Sequence, residues 1–229
     1  MMSIKEKYFR VEFHCHTAVS MDSSNRINRL LKTARERGLD RLCITDHNTI
    51  QPALKAKEMD ARMVVVGEEI RTTEGELLAY FVTREIEPDQ SPMATIKLLK
   101  EQNAFISVAH PFDRRRNHWS IETLKKILPY LDGFEIFNSR SFDPSANARA
   151  ANFALENNLT GLVGSDAHSL VELGLASMFL PDFHTADELR QALGQAEITT
   201  QPFTPFNHFL ANASIFFGKI MPWNWGNKY

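Results

Sequence analysis

The 229-residue sequence predicts an α/β fold made of repeated βα units. Short apolar runs alternate with amphipathic segments almost throughout the chain, and this alternation favours parallel strands joined by helices over separate all-α and all-β domains. The length suits one large α/β domain with a substantial core. With 43% hydrophobic and 24% charged residues, the composition is that of an ordinary globular protein, so long disorder is excluded as the main theme.

The periodicity of the apolar residues places the elements in order. Strands are expected near residues 11–17, 41–45, 63–66, 77–82, 105–109, 133–138, 160–164 and 198–200, and helices near 26–37, 52–59, 92–102, 120–128, 145–157 and 185–193. For the first helix, Ser24 or Asn25 is the expected N-cap and Gly38 the expected end. Thr185 and Glu188 have the spacing of a capping box, which marks the start of the last helix.

Charge and cysteine content restrict the class of protein. The net charge of −2 gives no broad basic field of the kind that binds nucleic acid by electrostatics alone. Cys15 and Cys43 lie in predicted strands without the spacing of a disulfide framework or zinc ribbon, which fits a reducing compartment. The N-terminal residues lack the apolar core of a signal peptide, and no apolar run could span a bilayer. We therefore expect a cytoplasmic protein without membrane contact.

Two histidines near the N-terminus are the first sign of a metal site. His14 and His16 are two positions apart in a predicted strand, so their side chains point to the same face and can share one ion. Cys15 points to the opposite face and is expected to pack among apolar residues. A His-x-His pair alone is equally consistent with ordinary hydrogen-bonded histidines.

Metal-binding side chains also recur at the ends of distant predicted strands. They are His14 and His16, His47, Glu69, His110, Glu135 with Asn138, and Asp166 with His168. In a βα barrel the C-terminal ends of the strands converge on one face, so groups that are far apart in sequence meet there. Core packing does not explain this recurrence, and a shared metal site does.

The same residues resemble the polymerase and histidinol phosphatase (PHP) domain family. The matching motifs are His14-Cys15-His16-Thr17 with Ser20 and Asp22, Thr45-Asp46-His47-Asn48, Gly67-Glu68-Glu69, Ala109-His110-Pro111, Glu135-x-x-Asn138 and Gly164-Ser165-Asp166-Ala167-His168. They occur in family order over roughly residues 8–200. The resemblance implies a distorted (β/α)7 barrel, similar to a TIM barrel, over residues 1–200, with two or three divalent metal ions and phosphoester hydrolysis.

Carried over by position, the resemblance implies a set of metal ligands. These are His14, His16, Asp22, His47, Glu69, His110, Asp166 and His168, and Glu69 is expected to bridge two ions. Two positions depart from the family pattern. Glu12 stands where Asp is common, two residues before the first His, and its longer side chain could support a ligand or reach a metal. Glu76 stands where many members have His, and it is either a substitute ligand or an exposed turn acid.

The ligand types and nearby arginines suggest the chemistry. Imidazole with carboxylate suits zinc, manganese or iron without deciding among them. Two ions about 3.5–4 Å apart could hold a hydroxide for in-line attack at phosphorus. We assign catalytic roles to His47, His168 and Asp166. Guanidinium groups pair well with phosphate, and the candidate substrate-binding residues are Arg114, Arg115, Arg116, Asn138 and Arg140.

The sequence therefore predicts a metal-dependent phosphoesterase acting on a small phosphorylated molecule, a nucleotide or the end of a short oligonucleotide. A histidinol-phosphate or sugar-phosphate phosphatase is the alternative with the same chemistry. A non-catalytic PHP scaffold or regulatory module is the alternative from another class. Residues 201–229 are rich in Phe and Trp, and we expect this extension to pack on the barrel or to join subunits of a homo-oligomer.

Overall fold

The computed structural model describes residues 8–116 and 119–201 and confirms the α/β fold. Its strands are β1 (Tyr8–Cys15), β2 (Arg41–Ile44), β3 (Val64–Arg71), β4 (Glu76–Tyr80), β5 (Phe105–Val108), β6 (Gly133–Asn138), β7 (Gly161–Gly164), β8 (Ala176–Pro181) and β9 (Glu197–Thr200). Its α-helices are α1 (Ile27–Glu36), α2 (Gln51–Met59), α3 (Pro92–Glu101), α4 (Ile121–Ile127), α5 (Pro144–Glu156) and α6 (Ala186–Ala192). Of the predicted aromatic extension, residues 201–229, all but Gln201 lie outside the described part.

The strands form one sheet that curls into a nearly closed barrel. Their order is β7-β6-β5-β4-β3-β2-β1-β8-β9. The segment after β7 returns to β1 through a parallel bridge between Cys15 and Ala167, in which the His16 N–H donates to the Ala167 carbonyl at 3.0 Å. The first seven strands therefore surround a common interior, and β8 and β9 extend the sheet beyond β1.

The prediction of parallel strands is correct for two groups of three strands. It is wrong for β4, which lies between the two groups, and for β8 and β9, which extend the sheet beyond β1. β1, β2 and β3 are parallel, as are β5, β6 and β7, but β4 runs antiparallel to both of its neighbours. Residues 72–75 are too few for a helical crossover, and they form a turn with Gly75 at φ +84°. The start of β4 consequently lies at the end of the barrel where β3 finishes, and this places Glu76 there.

β8 has no counterpart among the predicted strands. It pairs antiparallel with β1, with Val11 opposite Met178, and with β9 on its other side. Four of its six residues are buried and the other two are half-buried. A strand covered on both faces needs no alternation of polar and apolar residues, so Ala176–Pro181 lacks the pattern by which a strand is predicted. Its pairing with the opposite end of the chain is a tertiary contact that local periodicity does not encode.

The helix boundaries are close to those predicted, but the N-cap of α1 differs from the predicted Ser24 or Asn25. The N-cap is Arg26, and no side chain caps the helix there. Asn25 instead donates from Nδ2 to the carbonyls of His16 and Ala167, both at 3.0 Å, and so ties β1 to the segment after β7. Gly38 at φ +69° ends α1 as predicted, and the Thr185 side chain caps α6 by accepting from the Glu188 N–H.

Apolar side chains fill both sides of the sheet. One buried cluster lies between the strands and the outer helices and includes Leu42, Ile106 and Phe134. A second includes Tyr80 and Phe105. α6 lies by the starts of β5 and β6, where Arg190 donates to Ala104 O and Asp132. Within the described ranges, none of the helices combines the length and apolarity needed to cross a membrane.

Candidate metal centre

Nine side chains meet at the end of the barrel where the parallel strands finish. Five are imidazoles, of His14, His16, His47, His110 and His168, and four are carboxylates, of Asp22, Glu69, Glu76 and Asp166. They come from β1, β3, the start of β4 and the segments after β1, β2, β5 and β7. The structure thus brings every residue of the predicted ligand set into one cluster.

The carboxylate of Glu69 lies at the middle of the cluster. Its Oε1 is 2.8 Å from Nε2 of His110 and 3.5 Å from Nε2 of His14. Its Oε2 is 2.8 Å from Nδ1 of His47 and 3.3 Å from Nε2 of His16. Because each oxygen faces a different pair of imidazoles, this carboxylate has the placement of a bridge between two cations.

Asp166 forms a second centre of contact. Its Oδ1 lies 3.2 Å from Nε2 of His16 and 3.5 Å from Nε2 of His14, and its Oδ2 accepts from Nη2 of Arg116 at 2.6 Å. The residue has φ +53°, a left-handed conformation that is uncommon outside glycine. Such conformations concentrate at functional sites, where the surrounding structure holds them in place.

Two carboxylates stand at the edges of the cluster. Asp22 is 51% exposed and its oxygens lie 3.1 Å from Nε2 of His168 and 3.5 Å from Nε2 of His47. Glu76 is largely buried, with Oε2 3.5 Å from Nε2 of His110. Glu76 therefore faces the cluster, as the substitute-ligand alternative requires, and does not project from the turn as an exposed acid.

The donor atoms fit divalent metal ions. Within the described residues, six buried atoms of the cluster lie near other polar atoms without making a hydrogen bond of suitable geometry: Nε2 of His14, His16 and His168, Nδ1 of His110, Oε2 of Glu69 and Oδ1 of Asp166. Buried polar atoms are normally paired, so such a concentration requires an explanation. Four overlapping groups of three residues bring their ligand atoms within 4.8 Å of one another. Imidazole and carboxylate in this number suit zinc, manganese or iron.

The charges of the cluster keep the central carboxylates ionised. The same carboxylates raise the pKa of three histidines against burial, namely those of His14, His47 and His110, whose protons a bound cation would displace. Burial opposes ionisation of Asp166, yet the charges of Arg116 and His14 hold its pKa well below the usual range. The pKa of Glu69 is likewise held low, against burial, by His14 and His47. Burial, with repulsion from neighbouring imidazoles, keeps the pKa of His16 well below its usual range. Ionised carboxylates and a neutral imidazole are the forms that bind metals.

Glu135 orients two of the histidines. Its Oε1 lies 2.9 Å from Nδ1 of His14, and its Oε2 accepts from the His110 N–H at 2.6 Å. A proton on Nδ1 of His14 leaves Nε2 available as a ligand, which is the usual arrangement of a metal-binding histidine with a carboxylate behind it. Gly164 makes room for this contact, because a Cβ there would lie 2.5 Å from His14 Cβ and 2.7 Å from Glu135 Oε1.

Two further acids support the loops of the cluster. Asp46 accepts from the Ser20 hydroxyl at 2.5 Å and the Thr17 N–H at 2.9 Å, and Ser20 Oγ lies 3.4 Å from Nδ1 of His16. Glu172 accepts from the N–H groups of His168 at 2.9 Å and of Ser169 at 2.6 Å. Glu135 and Asp46 belong to recognisable motifs, whereas Glu172 follows a turn and carries no sequence signal of this role.

Glu12 supports the centre from behind. Its carboxylate accepts four hydrogen bonds, from the N–H groups of His14, Ser165 and Gly174 and from the Ser165 hydroxyl. Burial raises its pKa to about 7. The side chain thus joins β1 to the two segments that follow β7, and none of these partners is a side-chain donor of the metal cluster.

Glu12→Gln is expected to lower the free energy of unfolding by about 1–3 kcal/mol, the usual cost of leaving buried donors unpaired. One end of the amide cannot accept, so at least one of the three N–H donors loses its partner, whereas the Ser165 hydroxyl can rotate to accept from the amide. Urea denaturation measures the change, with Glu122→Gln on an exposed helix face as the control. Equal stability of the two variants would contradict a structural role for Glu12.

The predicted substrate-binding residues have different surroundings. Arg116 reaches Asp166, whereas Arg114 and Arg115 are exposed. Nδ2 of Asn138 donates to Glu135 at 3.2 Å and to Asp166 at 3.3 Å. Nη1 of Arg140 donates to Glu172 at 2.6 Å, so its guanidinium supports the loop that carries His168. Arg116 is thus the arginine of this set in direct contact with the cluster.

Fold and site together define a barrel protein with a largely buried cluster of potential metal ligands at the ends of its strands. The family model of the PHP domain matches residues 12–109, and that of the PHP-associated region matches residues 144–198. Two uncharacterized proteins of Methanocaldococcus jannaschii are similar in sequence. The first is 31% identical, and the match covers 62% of this chain and 90% of that protein. The second is 32% identical, and the match covers 73% of this chain and 68% of that protein. The chain belongs to the PHP domain family.

Solved structures with the same fold are more distant in sequence. PsfC of Pseudomonas syringae is 16% identical with a TM-score of 0.70, covering 92% of this chain and 99% of its own. A Bifidobacterium adolescentis protein assigned to the metal-dependent phosphoesterases is 19% identical with a TM-score of 0.61, covering 81% and 96%. The lesion-specific endonuclease PfuEndoQ of Pyrococcus furiosus is 16% identical with a TM-score of 0.61, covering 86% and 60%. These likenesses confirm the barrel-like fold.

Proposed function

We propose that this protein is a metal-dependent phosphoesterase that hydrolyses a phosphate ester of a small molecule, a nucleotide or the end of a short oligonucleotide. The observation that carries the proposal is the gathering of nine potential metal ligands at one end of the barrel, where six buried atoms make no hydrogen bond of suitable geometry within the described residues. Structural relatives include a protein assigned to the phosphoesterases and an endonuclease, both named for cleavage of phosphate esters. The retained donor set argues against a non-catalytic scaffold.

The chain's own residues define which metal positions the site offers. His14, His16 and Asp166 form one group of donors, His14, Glu69 and His110 a second, His16, His47 and His168 a third, and His47, Glu69 and Glu76 a fourth. Because several of these residues belong to more than one group, we assign the four groups to two or three metal positions. Divalent ions bound there supply Lewis acidity and an activated water to the reaction. Glu76 would complete the position nearest His110 and His47.

Two histidines beside Asp22 are the candidates for proton transfer. His47 is partly exposed, and its Nε2 lies 3.5 Å from Oδ1 of Asp22. His168 is buried with Nε2 3.1 Å from Oδ2 of the same aspartate. An imidazole beside an ionised, half-exposed carboxylate can hold a proton at Nε2 and deliver it to a leaving oxygen. We assign this role to His47 or His168, whichever is not occupied as a ligand.

Arg116 would hold the phosphoryl group of the substrate. One of its nitrogens contacts Asp166, which leaves the other donors of the planar guanidinium for phosphate oxygens. Arg116→Ala is expected to lower kcat/KM about tenfold or more, because a charged hydrogen bond is worth about 1.5–3 kcal/mol. Steady-state kinetics measures the change. The matched control is Arg114→Ala in the same exposed turn, and equal effects of the two substitutions would contradict this role.

A substrate panel tests the proposed activity. Protein stripped of metal and reloaded separately with zinc, manganese or iron(II) is given AMP, short oligonucleotides, ribose 5-phosphate and histidinol phosphate. We expect the highest kcat/KM with a nucleotide or an oligonucleotide, and no turnover by His14→Ala. Preference for a sugar phosphate or histidinol phosphate would favour the alternative phosphatase. Metal binding without hydrolysis of any ester would favour the non-catalytic module.

We also propose that residues 201–229 join subunits. β9 lies at the edge of the sheet with all four residues exposed, and the Gln201 N–H donates to the Leu175 carbonyl at 2.8 Å. Aromatic residues that follow an exposed edge strand are suited to cover it in a second copy. Light scattering of the whole chain and of a chain ending at Gln201 gives the number of chains per particle. The same number for both proteins would contradict the proposal.

A further inference from the structure

An exposed aromatic residue stands beside the arginines at the rim of the barrel. Phe142 lies in the segment between β6 and α5 and is 47% exposed. The guanidinium carbon of Arg115 lies over its ring, 4.6 Å from the ring centre. A guanidinium on an aromatic face makes one flat amphipathic surface.

The Arg115–Phe142 pair lies on two chain segments that contact Asp166. Arg116 contacts Asp166, and Arg115 is its chain neighbour, so their Cα atoms are about 3.8 Å apart. On the other side, Asn138 contacts Asp166 at 3.3 Å and precedes Phe142 by four residues. Both members of the pair are therefore carried by segments that lead directly to Asp166, and this shared origin is the basis for assigning them to the same substrate as Arg116.

Hydrogen bonds anchor the segment that carries Phe142 at both ends. Oδ1 of Asn138 accepts from the Arg140 N–H at 2.9 Å, and Arg140 is paired with Glu172. At the other end Asp143 caps α5 by accepting from the Ser145 N–H at 2.9 Å. The ring is consequently presented from a fixed segment, which reduces the entropy lost when a ligand binds.

We propose that Arg115 and Phe142 form a stacking platform for the nucleobase of the substrate, while Arg116 and the metal centre take its phosphate. This inference rests on the proposed phosphoesterase function and specifies its substrate class. Every nucleobase has a flat π-face that can stack on an aromatic ring or a guanidinium, whereas a sugar phosphate has none. The platform therefore selects nucleotides over sugar phosphates of equal charge.

Phe142→Ala tests the platform by two readouts. In steady-state kinetics it is expected to raise KM for AMP about tenfold, the loss typical of one stacked base, and to leave KM for ribose 5-phosphate unchanged. In calorimetric titrations, binding of the phosphonate analogue of AMP, whose carbon–phosphorus bond is not hydrolysed, is expected to weaken by the same factor. Phe142→Tyr retains the ring and is expected to retain both values.

Tyr130→Ala is the matched control. Tyr130 is 44% exposed and precedes β6, at the opposite end of the barrel, so its removal is expected to change neither readout. The inference is overturned if Phe142→Ala weakens AMP and ribose 5-phosphate equally, or if it behaves like Tyr130→Ala. The titrations need no turnover, so a lack of hydrolysis by the unsubstituted protein would count against the phosphoesterase function alone.

Discussion

Replacing Glu69 with Gln is expected to abolish phosphoesterase activity, with a loss of at least about a hundredfold in kcat/KM, because metal-ion catalysis contributes several kcal/mol. The two oxygens of Glu69 contact four imidazoles, and in the substituted protein one of them becomes an NH2 group that cannot ligate a cation. We expect bound metal per chain to fall as well. Elemental analysis and kinetics on the same samples measure both effects.

Glu68→Gln is the matched control for this substitution. Glu68 is the chain neighbour of Glu69 in β3 and is also buried, but its Oε2 accepts from the Ile86 N–H at 3.3 Å, and the ion pairs found among the described residues of the cluster do not include it. Burial raises its pKa to about 8, so the side chain is already mostly neutral at pH 7 and an amide resembles it. Equal losses in the two variants would show that folding of β3, and not the carboxylate of Glu69, explains the effect.

Removing the metals with a chelator is expected to lower the melting temperature by about 5–16 °C. Ligands present at 100 to 1,000 times their Kd stabilise a folded protein by about 2.7–4.1 kcal/mol, and each kcal/mol moves the melting temperature of a chain of this size by about 2–4 °C. The physical source is the binding free energy of the cations, which only the folded chain gains because it alone assembles the ligands of the cluster. Differential scanning fluorimetry with and without chelator measures the shift.

The Glu69→Gln variant also serves as the control for chelation. Since it is expected to bind less metal, its melting temperature should respond less to the chelator than that of the unsubstituted protein. Restoring the divalent metal should reverse the shift in the unsubstituted protein. A melting temperature that is the same with and without chelator would mean that the cluster binds no cation strongly.

The positions of the ligands were predictable because parallel strands end at one face of a barrel. His14, His47 and His110 follow or end strands that are far apart in the sequence, and this rule alone brings them together. The position of Glu76 does not follow from the parallel strands. Glu76 begins β4, and its place beside His110 depends on the antiparallel hairpin of β3 and β4, which sequence periodicity did not reveal.

The supporting contacts were less predictable, because they depend on loops. Asn25 was expected to cap α1, but the structure uses its amide to join the loops after β1 and β7. Arg140 was expected at the substrate, and its Nη1 donates to Glu172, a partner without any motif that the sequence did not indicate. In both cases the side chain is of the right type for the predicted role, and only the three-dimensional course of two loops decides its partner.

The central claim is that the strand ends hold at least two metal ions, with Glu69 between them. Anomalous X-ray scattering from crystals of the metal-loaded protein, recorded at the zinc, manganese and iron edges, tests it most directly. The account predicts two or three peaks among His14, His16, His47, Glu69, His110, Asp166 and His168, with one next to Glu76 if three are present. Crystals with metal in the solution and no anomalous peak within this cluster would contradict the account.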